Sequence, residues 1–94
     1  YRVRIMLIVS YDISDDKLRG KFAKFLMSYA IRLQYSVYEI KNSERILSII
    51  TTEIEHRFQK DFSGADSIII FNTKEKDQIR YGNAKHQNAD LLIL

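Results

Sequence analysis

Ninety-four residues make one compact domain and not two, and 46% hydrophobic with 29% charged residues is the composition of a folded globular chain rather than a disordered one. The chain has no cysteine, which excludes disulfides and thiolate metal sites and fits a reducing, cytoplasmic setting; no apolar run nears the ~20 residues that span a bilayer, so no membrane partner is expected. Fifteen Lys and Arg against 12 Asp and Glu leave a net charge of +3, a bias toward polyanions that a dimer doubles.

Val3 to Tyr11 reads as a first strand, β-branched, apolar and free of breakers. Val3, Ile5, Leu7 and Val9 share one face, while Arg4, Met6, Ile8 and Ser10 share the other. Large apolar groups on both faces require cover on both, and a second protomer resting on Met6 and Ile8 is the simplest source of the second cover. A helix is predicted from Ser14 to about Ile31, capped by Ser14 or Asp15, with Asp15 and Asp16 at the positive end of its dipole. Leu18, Phe22, Phe25, Leu26 and Tyr29 form its buried stripe, and Lys17, Lys21 and Lys24 a basic one.

Arg32 to Lys41 alternates as a strand that bends into two near Ser36. Asn42 or Ser43 opens a second helix with Ile46, Leu47, Ile50, Ile54 and Phe58 on its apolar face, ending near Phe62 at a Ser63-Gly64 cap. Asp66 to Asn72 is a near-continuous apolar run, as in a strand buried on both sides, and Gln78 to Tyr81 is a short further strand. Leu91, Leu92, Ile93 and Leu94 end the chain on four aliphatics, predicted to add as an edge strand to a partner's sheet. This order predicts a single α+β domain over residues 1–94, with both helices on one sheet face.

Asp12 is the sharpest candidate for chemistry, because it directly follows an apolar strand at that strand's C-terminal end. If a two-fold axis runs nearby, two Asp12 carboxylates converge and need a hard cation, Mg²⁺, Mn²⁺ or Ca²⁺. Such an ion polarises a phosphate and lowers the pKa of a bound water. The alternative is that Asp12 caps the turn into the first helix, and by spacing alone that role is the commoner. Lys17, Lys21 and Lys24, with Arg19 on a neighbouring face and Arg32 beyond the helix, suit phosphate contact, although a stripe of three lysines is usually a solvated face. Tyr11, Tyr35 and Tyr38 could stack on bases or fill core. Glu39 and Glu44 read as solvated or capping. His56 and His86 lack zinc spacing, and no Ser-His-Asp or glycine-rich phosphate-loop pattern occurs.

Three segments, in this order and separation, carry a resemblance: Val9 to Asp12, Ser14 to Arg19, and Gln34 to Glu39. Together they resemble the small CRISPR-associated adaptation protein that partners the spacer integrase. The resemblance implies a ferredoxin-like βαββαβ fold with an extra C-terminal strand, a two-fold homodimer, and residues 89–94 exchanged onto the partner. It implies that Asp12 is the metal-binding catalytic aspartate, holding Mg²⁺ or Mn²⁺, with Tyr11 as its aromatic neighbour. Arg19, Arg32 and Tyr38 match positions implicated in nuclease activity or nucleic-acid contact. Lys21 stands where some relatives carry arginine, which keeps the charge and loses the bidentate fork.

The implied function is spacer acquisition. In one form the dimer is a Mg²⁺-dependent endonuclease on RNA or DNA. In another it is a non-catalytic scaffold that bridges integrase dimers and holds double-stranded spacer DNA. Single-stranded RNA is a further implied nucleic-acid partner of the dimer, and a stand-alone, toxin-like endoribonuclease of the same fold stays open as an alternative. A small-molecule-binding module is disfavoured by the basic stripe and by the lack of a glycine-rich pocket.

Overall fold

The computed structural model describes residues 4–41 and 43–83, and its first element, β1 (Ile5–Asp12), is the strand that the alternation predicts. Ser14 and Asp15 interrupt it, and the Leu18 N–H donates to the Asp15 carboxylate at 2.8 Å, which makes Asp15 the cap of α1 (Asp16–Met27). The helix stops at Met27, short of the expected Ile31. Ala30 and Ile31 already belong to β2 (Ala30–Gln34), whose β-branched and alternating residues suit a pleated strand better than a further helical turn. A two-residue turn at Tyr35-Ser36 separates β2 from β3 (Val37–Ile40), the bend expected near Ser36.

Ser43 accepts from the Ile46 N–H and caps α2 (Glu44–Glu53). The helix then loosens into a π-helical turn over Ile54–Phe58 and a 3₁₀ turn over Gln59–Asp61. Gly64 is not the left-handed cap its sequence suggests: among the described residues the glycine with positive φ is Gly82, at 66°. The chain leaves the 3₁₀ turn through an extended Phe62 and enters β4 (Ser67–Lys74). All three strand pairings are antiparallel, in the order β2-β3-β1-β4. With the order of elements along the chain, this is the ferredoxin-like βαββαβ arrangement.

The core lies between the helices and one face of the sheet. Leu7, Val9 and Tyr11 of β1 meet Tyr38 and Ile40 of β3, Leu18, Phe22 and Leu26 of α1, and Ile50 and Phe58 from the α2 region. Phe22 is fully enclosed, with ring centroids 5.1 Å from both Tyr11 and Phe58 in edge-on contacts.

The opposite face departs from expectation in two ways. Met6 and Ile8, expected to need a second protomer, are 1% and 5% exposed within the single chain. Residues 78–80 run across them: Gln78 Nε2 donates to Met6 Sδ at 3.2 Å, and Arg80 bonds Gln78 and pairs with Glu39 at 3.8 Å. Gln78 to Tyr81 therefore acts as a strap and is not a strand. In β4, Ile68 and Ile70 face the helices, whereas Ile69 and Phe71 are 59% and 46% exposed. The strand is thus buried on one side, because the strap covers β1 and leaves these side chains uncovered. Leu91 to Leu94, and the exchanged strand over 89–94, lie outside the described residues.

Phe22→Ala is expected to lower unfolding stability by about 3–5 kcal/mol in a urea titration, through lost burial and a cavity that the surrounding rings cannot close. Lys24→Ala, on the exposed face of the same helix, should stay within about 0.5 kcal/mol of the parent.

Candidate nucleic-acid and metal site

At the C-terminal end of β1 the side chains alternate in, out, in. Tyr11 is 5% exposed, Asp12 faces solvent, and Ile13 is 2% exposed. Two buried neighbours therefore hold the Asp12 carboxylate outward. It does not cap the helix, since Asp15 does so, and among the described residues it has no hydrogen-bond or ion-pair partner.

The other acids at this end are occupied. Asp16 pairs with Arg19. Asp66 accepts from the Ser14 N–H and the Ser63 N–H, each at 2.9 Å, and from the Ser14 hydroxyl at 3.0 Å. One carboxylate thus ties the β1–α1 loop to the loop before β4. Those two backbone bonds, Ser14's first, hold the Asp66 carboxyl below its ordinary value of 3.8. The tie is therefore complete above that pH and is lost as the pH falls below it.

The expected basic residues divide into two groups. Lys17, Lys21 and Lys24 are all exposed along α1. Arg19 instead turns back on its own loop, with Nη1 donating to the Ile13 carbonyl at 2.9 Å. The Asp16 carboxylate, and after it the Tyr35 hydroxyl, hold the Arg19 guanidinium above its ordinary pKa. Arg32, on β2, lies over two rings, 5.4 Å from the centroid of Tyr35 and 5.5 Å from that of Tyr38. Tyr38 in turn stacks on Tyr11 at 6.1 Å.

Of the residues singled out in the sequence, Tyr11, Asp12, Arg19, Arg32 and Tyr38 thus gather at one end of the sheet. The Tyr11 N–H donates to the Ser36 carbonyl at 3.1 Å and brings the β2–β3 turn to the same place. Tyr11 and Tyr38 are buried, so the Tyr38 ring, backed by Tyr11, supports Arg32 from below and neither offers an open face to a base. Of the three tyrosines singled out as possible stacking residues, the exposed one is Tyr35, at 68%.

Burial, followed by the neighbouring Tyr38 hydroxyl, pushes the Tyr11 phenol from 10.0 up to about 12, against the pull of Arg32.

Glu39 corrects its expected role as a solvated or capping acid. It is 6% exposed on the strap-covered face, with Arg4 at 3.1 Å and Arg80 at 3.8 Å. Its alternation with the core residues Tyr38 and Ile40 was the legible signal, but its partners lie 35 and 41 positions away in sequence. Asp66 was equally hidden, although an acid three residues after Ser63, able to reach back to the Ser63 N–H, has the spacing of a capping box.

A metal ion at Asp12 finds a hard oxygen donor that is exposed and unpartnered, which suits Mg²⁺ or Mn²⁺. One carboxylate per chain is a small donor set. The described residues bring no three acidic or histidine groups together, so the fit depends on a second copy supplying its own Asp12.

The strand order and the gathering of acid, arginine and tyrosine at one sheet end define a ferredoxin-like α+β protein with a polar end site. The chain belongs to the CRISPR associated protein Cas2 family, whose model matches residues 5–80. A relative from Methanospirillum hungatei, named CRISPR-associated endoribonuclease Cas2 2, is 30% identical over 74 residues, covering 79% of this chain and 79% of its own. One from Rhodospirillum rubrum, named CRISPR-associated endoribonuclease Cas2 4, is 43% identical over 47 residues; the match covers 50% of this chain and only 38% of that relative's length. Among solved structures, a hypothetical protein from Thermus thermophilus superposes with a TM-score of 0.69 at 28% identity, covering 86% of this chain and 94% of the other. No helix among the described residues is long and apolar enough to cross a membrane.

The raised Tyr11 pKa sets an alkaline limit on stability. The folded protein prefers the neutral phenol, so that contribution is complete below pH 10 and is lost as the pH rises from 10 toward 12. A pH series of urea midpoints should show this decline in the parent and a shallower one in Tyr11→Phe. Equal declines would place the titrating group elsewhere.

Proposed function

We propose that this chain acts as a homodimer on nucleic acid in CRISPR spacer acquisition, with the Asp12 carboxylates of two protomers holding one Mg²⁺ or Mn²⁺ for phosphodiester hydrolysis. The observation that carries the reading is Asp12 itself. Among the nearby acids, Asp15, Asp16 and Asp66 are engaged in capping, pairing and loop tying, while Asp12 is exposed and without such work. A divalent ion bound there supplies Lewis-acid polarisation of a phosphate and a more acidic water. This chain's own contribution is to hold Asp12 outward between Tyr11 and Ile13, and to offer Arg32 and the lysines of α1 to the phosphate backbone.

The names of the relatives support endonuclease chemistry. The exposed Ile69 and Phe71 on the outer sheet face support a second copy as a partner, since apolar side chains left in water favour association. The same dimer serves as the bridge to the spacer integrase and holds double-stranded DNA. The single carboxylate per chain favours that scaffold as the main role, because two-metal phosphoryl chemistry draws on several carboxylates.

Cleavage of labelled RNA and DNA with Mg²⁺ separates the two roles. Asp12→Ala, purified as a folded dimer, should lose cleavage while keeping nucleic-acid affinity. Equal cleavage by both proteins, or none by either, would leave the scaffold role alone. Reversing Lys17, Lys21 and Lys24 to Glu should weaken duplex binding and flatten the log–log salt slope by about 0.9 for each lysine that meets a phosphate. An unchanged slope removes α1 from the interface.

A further inference from the structure

Tyr35 is a large aromatic left in water at a place where burial does not account for it. It occupies the two-residue turn between β2 and β3 and is 68% exposed. The turn is pinned beside the end of β1 by the bond from the Tyr11 N–H to the Ser36 carbonyl. The ring is not loose, because the Arg32 guanidinium lies 5.4 Å from its centroid, and Arg32 is itself seated on the buried Tyr38. The result is an aromatic face fixed in orientation and flanked by positive charge, next to the outward Asp12.

Resting on the nucleic-acid reading above, we propose that Tyr35 is a base-stacking residue: its open face takes one unpaired base of a single-stranded nucleic acid, with Arg32 meeting the adjoining backbone. Stacking on a tyrosine needs a base whose π-face is free, and a duplex interior has none. Arginine beside the ring reinforces the contact through cation–π attraction and phosphate pairing, neither of which reads sequence. This end of the sheet therefore selects for strandedness and not for base identity. It places an unpaired nucleotide next to Asp12, whereas the lysines of α1 contact backbone of either kind.

The test is equilibrium binding by fluorescence anisotropy, with EDTA present to prevent cleavage. Three labelled probes of equal length are used: a mixed-sequence single strand, the same backbone without bases, and a hairpin duplex. The parent should bind the base-bearing strand more tightly than the abasic one. Tyr35→Ala should lose about 5- to 100-fold on the base-bearing strand and little on the abasic strand, while Tyr35→Phe retains the parent's preference. If Tyr35→Ala keeps the parent's ratio between the two strands, or if the parent binds the duplex alone, the stacking role is overturned and the nucleic-acid reading stands. If the parent binds none of the probes, both fall together.

Discussion

Burial of β1 on both faces is the constraint on which the rest of this molecule depends. The strand is paired on both edges, to β3 and to β4. Its inward side chains Leu7, Val9 and Tyr11 belong to the helical core, while Met6 and Ile8 lie under the strap at 78–80. A strand held on four sides has no low-energy way to twist or slip, since a one-residue shift would exchange two sets of buried side chains. Its last residue inherits that rigidity. Asp12 is outward because Tyr11 and Ile13 are inward, so the position of this carboxylate, unengaged among the described acids at this end of the sheet, is set by hydrophobic packing rather than by polar contacts of its own.

Around that end the charged groups divide by function. Arg19 and Asp66 each bond backbone as well as side chains: one donates to the Ile13 carbonyl, the other accepts from the Ser14 and Ser63 N–H groups. Both brace the loop between β1 and α1, which glycine-free chemistry would otherwise leave to its own turn preferences. Arg32 is braced differently, by two rings, one buried and one exposed. A guanidinium laid on an aromatic surface keeps its N–H groups directed outward in the ring plane, available to a phosphate, and it is less hydrated than an ammonium. The lysines of α1 have no such ring beneath them and present their charges directly to solvent.

The outer face of the sheet combines a closed region with an open one. Glu39 sits nearly out of solvent between Arg4 and Arg80, and these two cations offset the cost of holding its charge there. Toward β4, Ile69 and Phe71 remain exposed, while the exposed Ile79 and Tyr81 lie with Leu33 and Val37 toward β2 and β3. One chain therefore covers the middle of its second face with its own residues and leaves the flank toward β4 apolar.

Much of this was legible in the sequence. The two-residue periodicity of β1, the 3.6-residue stripe of Leu18, Phe22 and Leu26, and the side-chain caps at Asp15 and Ser43 are local signals, and local signals survive without tertiary context. So does the alternation of strands and helices along the chain, including the bend near Ser36. What the sequence could not determine is which of two compatible partners a side chain takes. Glu39 became a buried ion pair, Asp66 a tie between distant loops, Met6 and Ile8 the floor beneath a strap, and Tyr38 a support for Arg32 rather than a contact surface. Each of these pairings joins residues from 6 to 72 positions apart. Only the folded sheet brings them within reach, because antiparallel register and not proximity along the chain decides which side chains share a face.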